Sequence, residues 1–227
     1  MIDHTDVNLR TVSPSLFEEK LSKIMTAGGD LLIVGNVHED TLAYIAALIT
    51  TARPVQRPAR VFAKSSSIDR DRLNLGDTDA RFIDMGGQVR SSNTSTASVA
   101  PPDNWSSDRL KTRFLDEMTD IHSDRTELEK AQLRLGVFTI EPIIQHGGLS
   151  EAQDLIRNIE TIIRADSGIA DYYLPMPADS DIVRNLTDLV NVRIKVRKQE
   201  NKVLTKWYFT DLDDSTEWFN LSPSDLR

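Results

Sequence analysis

The stretch from Asp30 to Ile49, DLLIVGNVHEDTLAYIAALI, constrains the fold more than any other part of this chain. Leu31 to Val34 is a continuous apolar run, the mark of a strand buried on both faces of a parallel sheet. Gly35 supplies a tight turn, and Thr41 to Thr51 reads as a helix. Strand, glycine turn and helix in this order form the layout of a phosphate-binding loop. A working loop reads G-x-x-x-x-G-K-[ST]: backbone N–H groups face the phosphates, the lysine reaches the β and γ oxygens, and the hydroxyl holds Mg²⁺. With Gly35 as the first glycine, the last three places fall on Asp40, Thr41 and Leu42, and none of the required residue types is there.

Gly35, Asn36, Val37, His38, Glu39, Asp40 and Thr41 are therefore candidate nucleotide contacts of a degenerate loop. A carboxylate about 4 Å from a phosphate oxygen costs roughly 4 kcal/mol at an effective dielectric near 20. Asp40, and with it Glu39, puts such charge where the loop needs a cation, and this local repulsion outweighs the pull of a helix N-terminus on anions. The competing reading needs no ligand: Asp40 or Glu39 simply caps the helix Thr41–Thr51. His38, Glu39 and Asp40 are consecutive at a turn, so they do not converge on one ion and no metal site is expected.

A chain of 227 residues with 39% hydrophobic content suits one α/β domain spanning 1–227. No apolar run reaches the roughly 20 residues of a membrane span, and the N-terminus lacks a signal-peptide core, so a cytoplasmic protein without membrane insertion is expected. There are no cysteines, which excludes disulfides, thiolate metal sites and a Cys nucleophile. Net charge is −8, with the acids mostly Asp and the bases mostly Arg, a surface suited to high salt. That balance argues against sequence-independent nucleic-acid binding, which needs a basic face. The exception is Arg193 to Lys206, whose alternation of base and apolar residue also fits the solvated side of an amphipathic strand.

Taken in order, Ser13 is a natural N-cap and Pro14 a first helical residue for a helix to Ala27, ended by Gly28-Gly29. After the helix Thr41–Thr51, strands are expected at 60–63 and 81–84, then a Gly/Ser/Thr/Pro-rich flexible loop at about 85–106. A helix over Ser107–Lys130 and a strand over Leu133–Ile144 follow. Ser150 with Gln153 forms a capping-box pattern for a helix Glu151–Ala165. A strand Asp171–Leu174, a helix Asp179–Leu189 and a hairpin of 190–196 with 203–209 complete the chain, Trp207, Trp218 and Phe219 sealing its last edge. Strand, helix and strand in repetition give a mostly parallel sheet flanked by helices, with a C-terminal antiparallel hairpin. A nucleotide hydrolase would end its later strand in an acid that orients Mg²⁺ and water. Glu141 is the only acid in LRLGVFTIEPII, and it suits a cap as well as a catalytic edge.

With GGDLLIVGNVHEDTLAYIAAL in the phosphate-loop position, LRLGVFTIEPIIQHGG at the second acidic motif, and ADYYLPMPADSDIVRNLTDLVNVRIKVRK with KWYFTDLDDSTEWFNL at the close, the chain resembles the RecA/KaiC superfamily. In particular it is similar to short KaiC-like proteins of haloarchaea. The resemblance covers nearly the whole chain and implies a RecA-like fold of the P-loop NTPase type. Carried onto this sequence it puts the loop's Gly, Lys and Ser/Thr on Asp40, Thr41 and Leu42. It puts the second acidic position on Phe138, beside Thr139, and an aromatic side chain cannot hold magnesium.

The expectation is a non-catalytic, pseudo-ATPase module that acts through protein partners in a regulatory or signalling assembly. A homo-oligomer or a pairing with an intact RecA/KaiC-like relative follows from the resemblance. No cofactor is expected, residual ATP or ADP being what such a loop would still hold. The alternative is a nucleotide-binding or hydrolysing ATPase with a rearranged site, Glu141 acting as base and Arg60 or Lys64 replacing the lost cation. A third reading gives the basic hairpin a nucleic-acid partner, against the overall charge.

Overall fold

The computed structural model describes residues 12–51, 59–64, 80–85, 106–124, 128–200, 202–212 and 214–221. The expected loop at 85–106 lies, except for Met85 and Ser106, outside them, as do Trp105 and the link between the second and third strands.

The first helix, α1 (Pro14–Ala27), starts as its sequence dictates: the Ser13 hydroxyl accepts from the Leu16 N–H and Pro14 occupies the first turn. It stops at Gly28, whose φ of 84° a side chain would resist and whose missing Cβ lets the Gly168 carbonyl pack against it. Strand β1 (Gly29–Val34) follows, buried at every position. Then come α2 (Glu39–Thr51), β2 (Ala59–Lys64), β3 (Ala80–Asp84), α3 (Ser107–Asp124), β4 (Leu133–Phe138), α4 (Glu141–Ala165), β5 (Ile169–Leu174) and α5 (Asp181–Thr187). The chain closes with β6 (Val192–Gln199), β7 (Lys202–Phe209) and two short strands, β8 (Asp214–Ser215) and β9 (Phe219–Asn220).

The strands form one sheet in the order β3-β2-β4-β5-β1-β6-β7-β8, with β9 also on β7. Every pair from β3 to β6 is parallel, and β6 with β7 is the antiparallel hairpin. The fold class is thus mixed α/β, with a mostly parallel central sheet between helices and antiparallel strands at its carboxyl end. β1 sits inside the sheet between β5 and β6, which is why all six of its residues are buried. One face of the sheet packs α1 and α2 through residues such as Leu31, Ile33, Leu42, Ile45 and Trp207. The other packs α3, α4 and α5 through Leu32, Val34, Phe114, Ile156 and Leu186. At roughly 2–5 kcal/mol per Leu- or Ile-to-Ala truncation, these two layers carry the stability.

Several boundaries differ from the sequence expectation. Helix α3 is described as far as Asp124 and does not extend to Lys130, where Glu129 and Gln132 hydrogen-bond each other and Ala131, at φ 60°, turns the chain into β4. The strand expected to run to Ile144 stops at Phe138, since Pro142 sits in the first turn of a helix, where its missing N–H costs nothing. That helix is broken at Gly148 (φ 76°, ψ −174°), where two helical segments meet just ahead of the expected helix Glu151–Ala165. Ser150 lies two residues past this break, in the first turn of the second segment. Glu151 caps a neighbour, its carboxylate accepting from the Ser107 N–H at the start of α3. α5 is shorter than 179–189 and is capped by the Ser180 hydroxyl on the Val183 N–H.

Candidate functional site

The turn after β1 is four residues long, Gly35 to His38. A Cβ at Gly35 would lie 2.3 Å from the Val196 carbonyl oxygen, so glycine is required here by the passage of β6. Asn36 and His38 are exposed, while Val37 packs against the α1/α2 core.

Helix α2 begins at Glu39, two residues before the expected Thr41. Glu39 and Asp40 are therefore first-turn residues and not its caps. His38 does the capping: its ring Nδ1 accepts from the Asp40 N–H at 3.2 Å, and its carbonyl accepts from Thr41 at 2.9 Å and Leu42 at 3.4 Å. The Asp40 carboxylate lies 3.2 Å from the same ring nitrogen. The backbone donors at the places of the Gly-Lys-Ser/Thr of a phosphate loop are thus turned onto His38. The first-turn carboxylates complement the helix dipole and repel an anion.

The second candidate segment lies at the end of β4. Phe138 is wholly buried, its ring 5.0 Å from that of Tyr173, its register partner on β5. Thr139 is buried, across a cis peptide from Phe138, and the Ile140 N–H donates to the Tyr173 carbonyl. Glu141 opens α4 and accepts from Gln145 Nε2 at 3.2 Å, one helical turn on. His146 spends Nδ1 on the Pro142 carbonyl, 2.7 Å away.

Segments 35–41 and 138–141 meet the same carboxyl edge of the sheet, where open α/β folds bind ligands. β5 intervenes between β1 and β4, so about 10 Å, two strand spacings, separates them. Of the two replacement cations, Lys64 stands on that edge, level with Phe138, its Nζ 5.9 Å from the Phe82 ring centroid. Arg60 does not. It sits near the amino end of β2, level with Arg134, buried and about 13 Å down the strand from Lys64. Among the described residues no group of three or more His, Asp or Glu could hold a metal ion. Nor is any described helix long and apolar enough to cross a membrane.

Two buried polar groups escaped sequence reasoning. Asp30, 3% exposed, accepts from the Tyr172 hydroxyl at 3.0 Å on the α4 face of the sheet. Burial pushes its carboxyl up to about 7, against the opposing hydrogen bond from Tyr172. It lines a pocket of about 190 Å³ with Asn191, Glu160 and Arg164 at the amino edge, away from Gly35.

On the opposite face Asp171 lies among Arg134, Arg60 and Tyr173. Burial raises its carboxyl to about 6, while Tyr173, Arg134 and Arg60 pull the other way. Arg134 donates to the Ile49 carbonyl at 3.1 Å, and burial lowers it to about 10. Gly136 leaves the space its Cβ would need to the Phe62 ring and the Asp171 carboxylate. The available signal was a single charged residue inside an apolar strand, in GDLLIV, LRLGVF and IADYYL.

A model of a family of unknown function, DUF7504, matches residues 28–196, from the end of α1 into β6. No curated protein matches the sequence. Solved structures of similar fold include the KaiC-like protein PH0186 of the hyperthermophilic archaeon Pyrococcus horikoshii OT3, with a TM-score of 0.51 at 12% identity. The alignment covers 95% of this chain and 96% of that one. At that identity the likeness shows the fold, which is RecA-like, and says nothing of chemistry.

Proposed function

We propose, for a chain that belongs to the DUF7504 family of unknown function, a RecA/KaiC-like module of the haloarchaeal type whose nucleotide site is degenerate. It works in the cytoplasm through protein contacts, in a regulatory or signalling assembly, with a second copy of itself or an intact relative as the expected kind of partner.

The observation that carries this reading is the capping of α2 by His38. A phosphate loop functions because its backbone N–H groups are held open toward the ligand. Here those of Asp40, Thr41 and Leu42 are closed onto one residue, and two carboxylates stand directly before the place of the lysine, which is Thr41. The buried Phe138 supports the same conclusion from the other half of the edge.

The test is calorimetric titration of ATP and ADP, with and without Mg²⁺, at high and low KCl, alongside melting curves. Ligand at a hundred times its Kd would add about 2.7 kcal/mol to stability, a displacement easily seen. No heat and no displacement are expected. Micromolar binding with Mg²⁺-dependent stabilisation would overturn the proposal.

A further inference from the structure

We propose that the outer face of the β6–β7 hairpin is a docking surface for an extended acidic segment of a partner protein. This rests on the reading of the chain as a protein-contact module and supplies the chemistry of its partner.

The hairpin register sorts its side chains. Val192, Ile194 and Val196 on β6, with Trp207 and Phe209 on β7, face the core, where Phe17 of α1 meets Trp207 edge-on at 5.3 Å. The other face pairs Arg193 with Tyr208, Lys195 with Lys206, Arg197 with Leu204 and Gln199 with Lys202. Five of those eight positions are cationic and none is acidic, on a chain whose net charge is −8. Solvation of an amphipathic strand asks for polar side chains of either sign. Lys195 and Lys206 put like charge directly across the pair of strands. A face whose charged positions on both strands are all of one sign is complementary to an anion.

The aromatic neighbours decide which anion. The Arg193 guanidinium lies 4.8 Å from the Tyr208 ring centroid but is already engaged by α5, donating to the Thr187 hydroxyl at 3.3 Å near Asp188, whereas that of Arg197, which is exposed, lies 4.2 Å from Trp218. The Arg197 guanidinium, stacked on its ring, is held in one plane with its N–H edge able to meet a carboxylate in the bidentate manner. Single-stranded nucleic acid would need those ring faces for its bases, and the arginines already cover them. Screening sharpens the choice. A short acidic segment meets only this patch, whereas a long polyanion also runs along the acidic remainder of the molecule, beyond the roughly 8 Å over which charge acts at physiological salt. From Arg193 to Gln199 the face is about 20 Å long, room for some six residues of extended chain.

The probe is a short fluorescein-labelled oligoglutamate, with a labelled oligothymidylate in parallel, each followed by anisotropy against the full chain at low and high KCl. Oligoglutamate should bind saturably and more tightly than oligothymidylate. Arg197→Glu with Lys206→Glu should weaken it at least about tenfold, and Lys202→Glu alone, at an exposed position near the hairpin end, should weaken it several-fold without moving the melting curve. Equal affinity of the wild type and the Lys202→Glu protein, or preference for oligothymidylate, would overturn the proposal. The same samples titrated with Mg²⁺-ATP separate the two ideas: nucleotide binding removes the degenerate-site reading, and failure of oligoglutamate alone removes only the docking surface.

Discussion

Replacing Asp30 by asparagine should make the protein more stable at neutral pH and leave it nearly unchanged in acid. The carboxyl is 3% exposed, and burial raises it from its ordinary 3.8 to about 7. In the window between those values the folded chain keeps a proton that the unfolded chain has released. Folding then binds protons, so stability falls as pH rises from about 4 to about 7 and levels off above. The shift of 7 − 3.8 = 3.2, at roughly 1.36 kcal/mol each, makes the loss about 4 kcal/mol. The Asp30→Asn side chain cannot ionise, and its amide oxygen can still accept from the Tyr172 hydroxyl, 3.0 Å from the native carboxylate. Urea denaturation across this pH range reads the difference. With a slope of roughly 2–3 kcal/mol per molar urea, the variant midpoint should lie about 1.5–2 M above wild type at pH 8 and close to it at pH 4. Asp171, raised to about 6, contributes a pH dependence of the same sign to both proteins, and it cancels in the comparison. Midpoints that run parallel across the range would refute the claim that Asp30 is held neutral by burial.

Gly35→Ala should lower stability by about 1–3 kcal/mol without any ligand, because its Cβ meets the Val196 carbonyl oxygen at 2.3 Å and β6 must move. An unchanged melting curve would return Gly35 to a purely ligand-related role. Arg134→Met should cost about 3–5 kcal/mol at pH 8, where Asp171 loses one of its two arginines, and less at pH 5, where Asp171 takes up a proton. Denaturation at the two pH values checks this, and equal losses would show that packing, and not charge, holds Arg134.

The elements legible in the chain are those whose cause is local. Ser13 and Pro14 start α1 through groups three residues apart, and alternation in VRIKVRK places the apolar side of β6 on the core. Gly35 stands out as a turn glycine, yet the reason it is obligatory, the carbonyl of a residue 161 positions away, leaves no trace nearby. The start of α2 falls earlier than its sequence suggests because a histidine is not a usual cap. The end of β4 is equally hard to see, because Phe138, Thr139 and Ile140 all suit a strand, and only Pro142 with the contact to β5 bends the chain into α4.

The sequence by itself determined the class of fold: apolar runs too uniform for a half-exposed sheet, alternating with helical spacing, leave a parallel sheet between helices as the arrangement that buries them. It also determined that positions 40–42 read Asp, Thr and Leu, with no lysine at 41 and no serine or threonine at 42. Only the tertiary structure decided that β5 separates the two candidate segments, that Arg60 lies at the wrong end of its strand, and that five cations share one face of the hairpin. It alone decided which charges are buried, Asp30 beside Tyr172 and Asp171 beside Arg134. Strand order and the partnering of buried charge depend on residues far apart in the chain, whereas periodicity and capping act within a turn or two of helix.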